Sequence, residues 1–455
     1  MCSTDPKTCS PNISAWSLSR TAAPLGLFYL TEVLVALTDL AVVGALGPQP
    51  LAAVGLAKTV VLAFLTIGGG VLSAALIFMA EDPAPERRSA LARASILIAL
   101  GFAALGFAVH WTMLALLPPA GYAPDLVAHY RAYGDVMVWA VAPALGLVIC
   151  KNVLNAVGRT GIIAFVAAFI VLGNLGLSIV LTHGVAGFDG MGVTGTGLAT
   201  VLVNLAAFAF LAVHCVRKGI VSLAVPRDWL RRLASDIRRV VGLGWASGAQ
   251  QGLESVLFVV VLFFLGVFSE TWLIAGSVVF AVMEINYVVS MALGEAVSAR
   301  IARFAHDREP EGLKRAVRVA LPLCATITVS FAILVFLFRV PIVMIFLPDG
   351  AEGTAAFVAG ILAWTTAIFL FDALQVLFVH MLRGLKRTVL PMAVSSCSYW
   401  LIGVGVGLLL AYGRALEGVG IWIGFCAGLI AAALILGLMF RSAFIAMRSN
   451  IGRPA

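Results

Sequence analysis

Twelve apolar stretches leave this chain little choice of fold. They run near 21–46, 54–79, 92–117, 126–149, 160–182, 193–216, 240–267, 272–297, 317–340, 357–382, 389–412 and 418–440. Each is long enough to cross the hydrocarbon core of a bilayer, which takes about 20 residues of helix. With 455 residues and only 11% of them charged, the chain could not hide its apolar surface from water. In lipid, each backbone N–H and C=O must find its partner inside the segment. The predicted fold is an all-α membrane protein with twelve transmembrane helices.

The net charge of +8 does not mark a nucleic-acid surface, because the basic residues fall in alternate loops. With the N-terminus in the cytosol, the cytosolic loops hold Arg87, Arg88 and Arg93; Lys151 and Arg159; the cluster from Arg217 to Arg239; Arg300 to Arg318; and Arg383, Lys386 and Arg387. The opposite side keeps Lys58, Arg131, Arg339 and Arg414. Both termini are predicted to be cytosolic. The seven cysteines show no C-x-x-C spacing and read as small apolar residues of helices.

The longest basic loop lies at the middle of the chain and divides it. The predicted parts are an N-terminal tail (1–20), an N-lobe of six helices (21–216), a basic linker (217–239), a C-lobe of six helices (240–440) and a C-terminal tail (441–455). The halves echo each other. Val157-Gly158-Arg159-Thr160 returns as Leu385-Lys386-Arg387-Thr388, an offset of 228 residues, and Gly192-Val193 as Gly418-Val419, an offset of 226. Six spans is an even number, so both halves start from the same side. They form a parallel repeat, related by a pseudo-two-fold axis along the membrane normal.

Acids inside the spans point to chemistry. A charge at the centre of a membrane helix costs about 2.5–3.5 kcal/mol on insertion scales unless it meets water, an ion or a partner. Glu254 lies in the seventh span on one polar stripe with Ser247, Gln250 and Gln251. Asp372 lies in the tenth, with Gln375 one turn on and His380 near the cytosolic end. Asp39 and Glu32 share a face of the first, two turns apart. Glu284, beside Asn286 and Tyr287, is deep in the eighth. Asn174 and Ser178 in the fifth span, and Thr200 and Asn204 in the sixth, stand one turn apart and read either as interhelical bonds or as cavity lining. A carboxyl held out of water can carry a proton, and its oxygens suit Na⁺, so both ions remain open.

Gly190-x-Gly192-x-x-Gly195 matches a dinucleotide fingerprint only as a string, since no acid follows about 20 residues on. It reads as a tight turn and close helix packing. Neither a P-loop nor H-E-x-x-H occurs, and the Asp-rich diphosphate motifs of an intramembrane prenyltransferase are missing too. No enzymatic activity and no cofactor are expected.

These residues resemble the multidrug and toxic compound extrusion (MATE) family over nearly the whole chain. The carriers are TDLAVVGALGPQPLAAVGLA in the first span and after it, GMGVTGTGLAT at the sixth, GEAVSARIA at the end of the eighth, and DALQVLFVHMLRGLKRT followed by SYWLIGVGVG. The resemblance implies a transporter of a bacterial inner membrane that exchanges H⁺ or Na⁺ for organic cations or other amphipathic compounds. It places Glu254 and Asp372 as C-lobe coupling acids, candidate Na⁺ ligands, and Asp39 as the N-lobe acid near Asn174 and Thr200. Substrate-facing positions would be Asn174, Ser178, Thr200, Gln250, Glu284, Gln375 and Glu32. The partners expected are the lipid bilayer and small cationic substrates, with no nucleic acid and a monomeric chain. A lipid-linked oligosaccharide flippase shares the helix plan but favours basic cavities. The chain departs from the family at Ile368, where the sodium-coupled branch has Tyr, and at Gly276-Ser277, in place of His-Gln.

Overall fold

The computed structural model describes residues 14–82, 84–119, 122–185, 187–222, 224, 229–346 and 352–451. Among them are twelve helices long and apolar enough to span: α1 (Ala15–Gly44), α2 (Gln49–Glu81), α3 (Pro85–Leu116), α4 (Pro124–Ala156), α5 (Gly161–His183), α6 (Val193–Arg217), α7 (Trp229–Phe268), α8 (Thr271–His306), α9 (Pro310–Leu337), α10 (Gly353–Gly384), α11 (Val389–Gly413) and α12 (Glu417–Ala446). A short helix, Arg339–Phe346, follows α9.

Most helices run past the sequence-derived edges, and two of the extensions redraw the predicted parts. The basic linker is not a loop throughout, because α7 already begins at Trp229. Its charges are used locally. Asp236 pairs with Arg87 at 2.7 Å, and the Arg239 guanidinium lies 4.7 Å from the centre of the Phe78 ring. At the other end, the last helix continues through Ile451 into the expected tail.

Two basic residues of the loop reading lie within helices, and one histidine read as a helix-end residue is buried. Lys58 lies inside α2, more than two turns from its start. Lys151 is fully buried in α4 and donates to the Tyr29 hydroxyl, with its ammonium 4.2 Å from that ring's centre. His380 is buried and its Nδ1 bonds Val376 O of its own helix at 2.9 Å.

The chain divides into two compact units that do not follow the linker. One is Leu27–Gly252; the other is Leu253 onward together with the chain up to Gly26. Within the first, α2 packs on α3 and α4, α4 on α3 and α6, and α5 on α6. The opening part of α7 closes on α2 so tightly that a Cβ on Gly70 would stand 2.7 Å from the Gly248 Cα. Small residues permit such backbone approach where lipid supplies no hydrophobic drive. Within the second unit, α8, α9 and α10 pack together, and α12 packs on α10 and α11. Arg300 of α8 ties down the chain start, donating to Ser17 O at 3.1 Å and Thr21 Oγ1 at 2.9 Å.

The glycine string is structural. β1 (Gly184–Val185) and β2 (Phe188–Asp189) form a two-residue antiparallel pair after α5. Beyond it, a Cβ on Gly190 would meet Thr182 O at 2.3 Å and one on Gly195 would meet Leu181 O at 2.2 Å. The chain folds back onto the end of α5, which leaves no room for a pyrophosphate.

Candidate functional site

Each unit holds one buried aspartate inside a predicted span, and the two have different company. In the first unit, Asp39 of α1 is fully buried. Thr200 Oγ1 of α6 donates to its Oδ2 at 3.1 Å, and Ser178 Oγ of α5 to its Oδ1 at 3.3 Å. Asn174 Nδ2 donates to Thr200 Oγ1 at 2.9 Å, and Thr38 Oγ1 donates to Asn174 Oδ1 at 3.4 Å. The one-turn spacings in α5 and α6 thus converge on a single carboxylate. Tyr133 of α4 stands within electrostatic reach of it. Glu32, two turns earlier on α1, is exposed.

The residue that sequence reasoning missed here is Lys58. Its Nζ sits 2.7 Å from Asp39 Oδ2, an ion pair in which the lysine side chain is 14% exposed and the aspartate 0%. The available signal was its position inside an apolar stretch, where a lysine needs an acid as much as an acid needs a cation.

In the second unit, Asp372 of α10 is buried. A 3₁₀ turn, Thr366–Ile368, interrupts α10 just before it. Asn286 of α8 bridges that irregularity, donating from Nδ2 to Asp372 Oδ2 at 2.8 Å and to Phe369 O at 3.1 Å. Asp372 and Glu284 line a cavity of about 40 Å³, with Phe258, Phe280, Met283 and Tyr287 as the other walls. Glu254 of α7 and Glu284 both lie close enough to act on Asp372 through their charge. Tyr399, in a π-helical segment of α11 (Ser398–Val404), senses both Asp372 and Glu254. Such π turns gather at functional sites.

The polar stripe of α7 is shared out rather than gathered. Ser247 and Gln250 are buried in the first unit's part of the helix, whereas Glu254 falls in the second unit. Gln375 donates from Nε2 to Ser395 Oγ of α11 at 3.4 Å and is not among the cavity's walls. Among the described residues, no group of three or more His, Cys, Asp or Glu side chains is arranged to hold a metal ion. Asp372 and Glu254 would have to take Na⁺ with help from neutral oxygens.

Comparison with known proteins bears on the fold and the family. The MatE family model matches residues 24–180 and 246–409. A probable multidrug resistance protein NorM of Bradyrhizobium diazoefficiens is 31% identical over 434 residues, spanning 93% of this chain and 92% of that protein. A second, from Rhizobium meliloti, is 28% identical and spans 90% of each. Among solved structures, the Vibrio cholerae MATE transporter VcmN in its bent form matches with a TM-score of 0.83 at 18% identity, over 95% of this chain and 97% of that one. The eukaryotic MATE transporter AtDTX14 matches with a TM-score of 0.80 at 18% identity, over 96% and 98%. A family model that covers most of the length, relatives that align nearly end to end and a shared twelve-helix fold place this chain in the MatE family of membrane transporters.

Proposed function

We propose that the protein is a secondary active multidrug exporter. It exchanges H⁺ or Na⁺, moving inward, for organic cations and other amphipathic compounds moving outward across a bacterial inner membrane, with both termini in the cytosol. The observation that carries this reading is the second-unit cavity, where Asp372 and Glu284 face a space walled by aromatic side chains and a methionine. Carboxylates attract a cation, and ring faces hold organic cations with loose geometric demands.

The cavity's volume favours a small first occupant. About 40 Å³ admits a few waters or one small ion, at roughly 10–15 Å³ per water. A drug-sized molecule needs roughly 300 Å³ or more. The ion therefore occupies this space, and the cargo requires the walls to part. When the ion neutralises the acids, their hold on a cationic cargo weakens and the cargo leaves. When the ion departs on the other side, the bare carboxylates draw in the next cargo. The membrane potential favours inward movement of the ion by about 2.3 kcal/mol per charge per 100 mV.

Transport of a fluorescent organic cation by everted vesicles, with sodium and proton gradients imposed one at a time, tests the reading. Transport driven by either gradient supports it and names the ion. Vesicles in which neither gradient drives transport, although the protein is present and folded, would refute it.

A further inference from the structure

We propose that Lys58 is a tethered counter-cation that fills the cation position of the first unit's acid site and bars sodium from it. The proposal takes Asp39 as the acid of the first unit's site, the role that the family resemblance implies, and concerns what that acid can bind.

An ammonium has three N–H donors, and three oxygens lie around this one. They are Asp39 Oδ2 at 2.7 Å, Val35 O at 3.2 Å and Ala36 O at 3.5 Å. The two carbonyls belong to the turn of α1 that precedes Asp39, so the ammonium is held by one carboxylate and the backbone that presents it. A bare alkali cation at this carboxylate would need the same kind of oxygen cluster. The remaining capacity of the carboxylate is also engaged, since Thr200 and Ser178 donate to it from two other helices. The site is thus complete without an external ion.

Attachment to α2 makes the ammonium hard to displace. An intramolecular ligand acts at a high effective concentration that does not fall when the surroundings are diluted. A dissolved sodium ion must give up its hydration and compete against a partner that never leaves. The second unit differs in this respect, because Asp372 receives a neutral amide from Asn286 and has a cavity in front of it. The geometry assigns unlike tasks to the two aspartates. Asp372 faces space for an exchangeable ion, and Asp39 holds a built-in one.

The test is equilibrium sodium binding by the purified full-length protein, carried out in an Asp372→Asn background so that the second unit does not contribute. Thermal melting is compared in equal concentrations of sodium chloride and choline chloride. With Lys58 present, no sodium-specific shift is expected. Lys58→Gln should open the site, raising the melting temperature in sodium by about 2–4 °C at concentrations well above Kd. Adding Asp39→Asn should abolish that rise, and Lys58→Arg, which restores the charge, should behave as the parent does. A folded Lys58→Gln protein that ignores sodium would overturn the proposal. So would a sodium shift in the parent that Asp39→Asn removes. If Lys58→Gln does not fold, radioactive sodium binding to the parent, with and without Asp39→Asn, decides: equal binding supports the proposal and a loss overturns it. Because no step is read as transport, this result is independent of whether the vesicles pump.

Discussion

Replacing Asp372 by Asn separates the roles of that residue in folding and in coupling. The substitution exchanges a carboxylate oxygen for an amide nitrogen of nearly equal volume, so it neither enlarges nor fills the cavity beside it. Asn286 can keep its 2.8 Å bond by donating to the new side-chain carbonyl. What changes is the character of the bond. A charge-assisted hydrogen bond contributes about 1.5–3 kcal/mol and a neutral one about 0.5–1.5, so roughly 1 kcal/mol is lost. Against that, a carboxylate withdrawn from water bears a desolvation cost of several kcal/mol, which the amide largely escapes. The two effects oppose each other, and the second is at least as large. The Asp372→Asn protein should therefore reach the membrane folded, with a melting temperature no more than about 4 °C below the parent, the shift expected from about 1 kcal/mol. Transport should nevertheless fall to the level of vesicles without the protein, because the charge that both ion and cargo require is gone. The assay pairs melting of the purified protein with cation transport in everted vesicles. Parental transport rates in a folded Asp372→Asn protein would refute the reasoning.

Glu284→Gln should lower transport of cationic dyes about fivefold, the factor for the roughly 1 kcal/mol of attraction between unit charges about 4 Å apart in a water-filled opening, while zwitterionic drugs are less affected; equal effects on both would remove Glu284 from cargo selection. Gly248→Val should destabilise the first unit by about 1–3 kcal/mol or more, since a Cβ there would meet Ile67 O at 2.7 Å and the Val71 Cγ2 at 2.9 Å. Lower yield and an earlier melt in detergent would register it, and a parental melting curve would contradict the close packing.

The number of spans and the acids within them were legible because lipid penalises exceptions so heavily. An apolar run of 20 residues has few other uses, and an Asp inside one stands out. Asn174, Ser178 and Thr200 were legible as a group because helical spacing put each on a defined face. Lys58 was misread as a flanking charge, since a lysine near the end of an apolar run looks the same whether it reaches the headgroups or turns inward to Asp39. Only the ion pair that Lys58 makes with Asp39 distinguishes these. Asn286 was noticed beside Glu284, but its task depends on the 3₁₀ turn before Asp372, and nothing in Thr366–Ile368 announces such a turn. The division of the compact units between Gly252 and Leu253 falls inside a continuous helix, where local propensity cannot mark it.

The widened turn at Ser398–Val404 has an evolutionary meaning. A π turn holds one residue more than the regular turn it replaces, so its simplest genetic origin is a single inserted codon. Removing one residue there would swing the rest of α11, from Gly405 to Gly413, by about 100° around its axis. Gly407, which now lies against Ile421 of α12, would turn elsewhere. Point substitutions can adjust this helix gradually, but a change in its length by one residue alters its whole outward face at once.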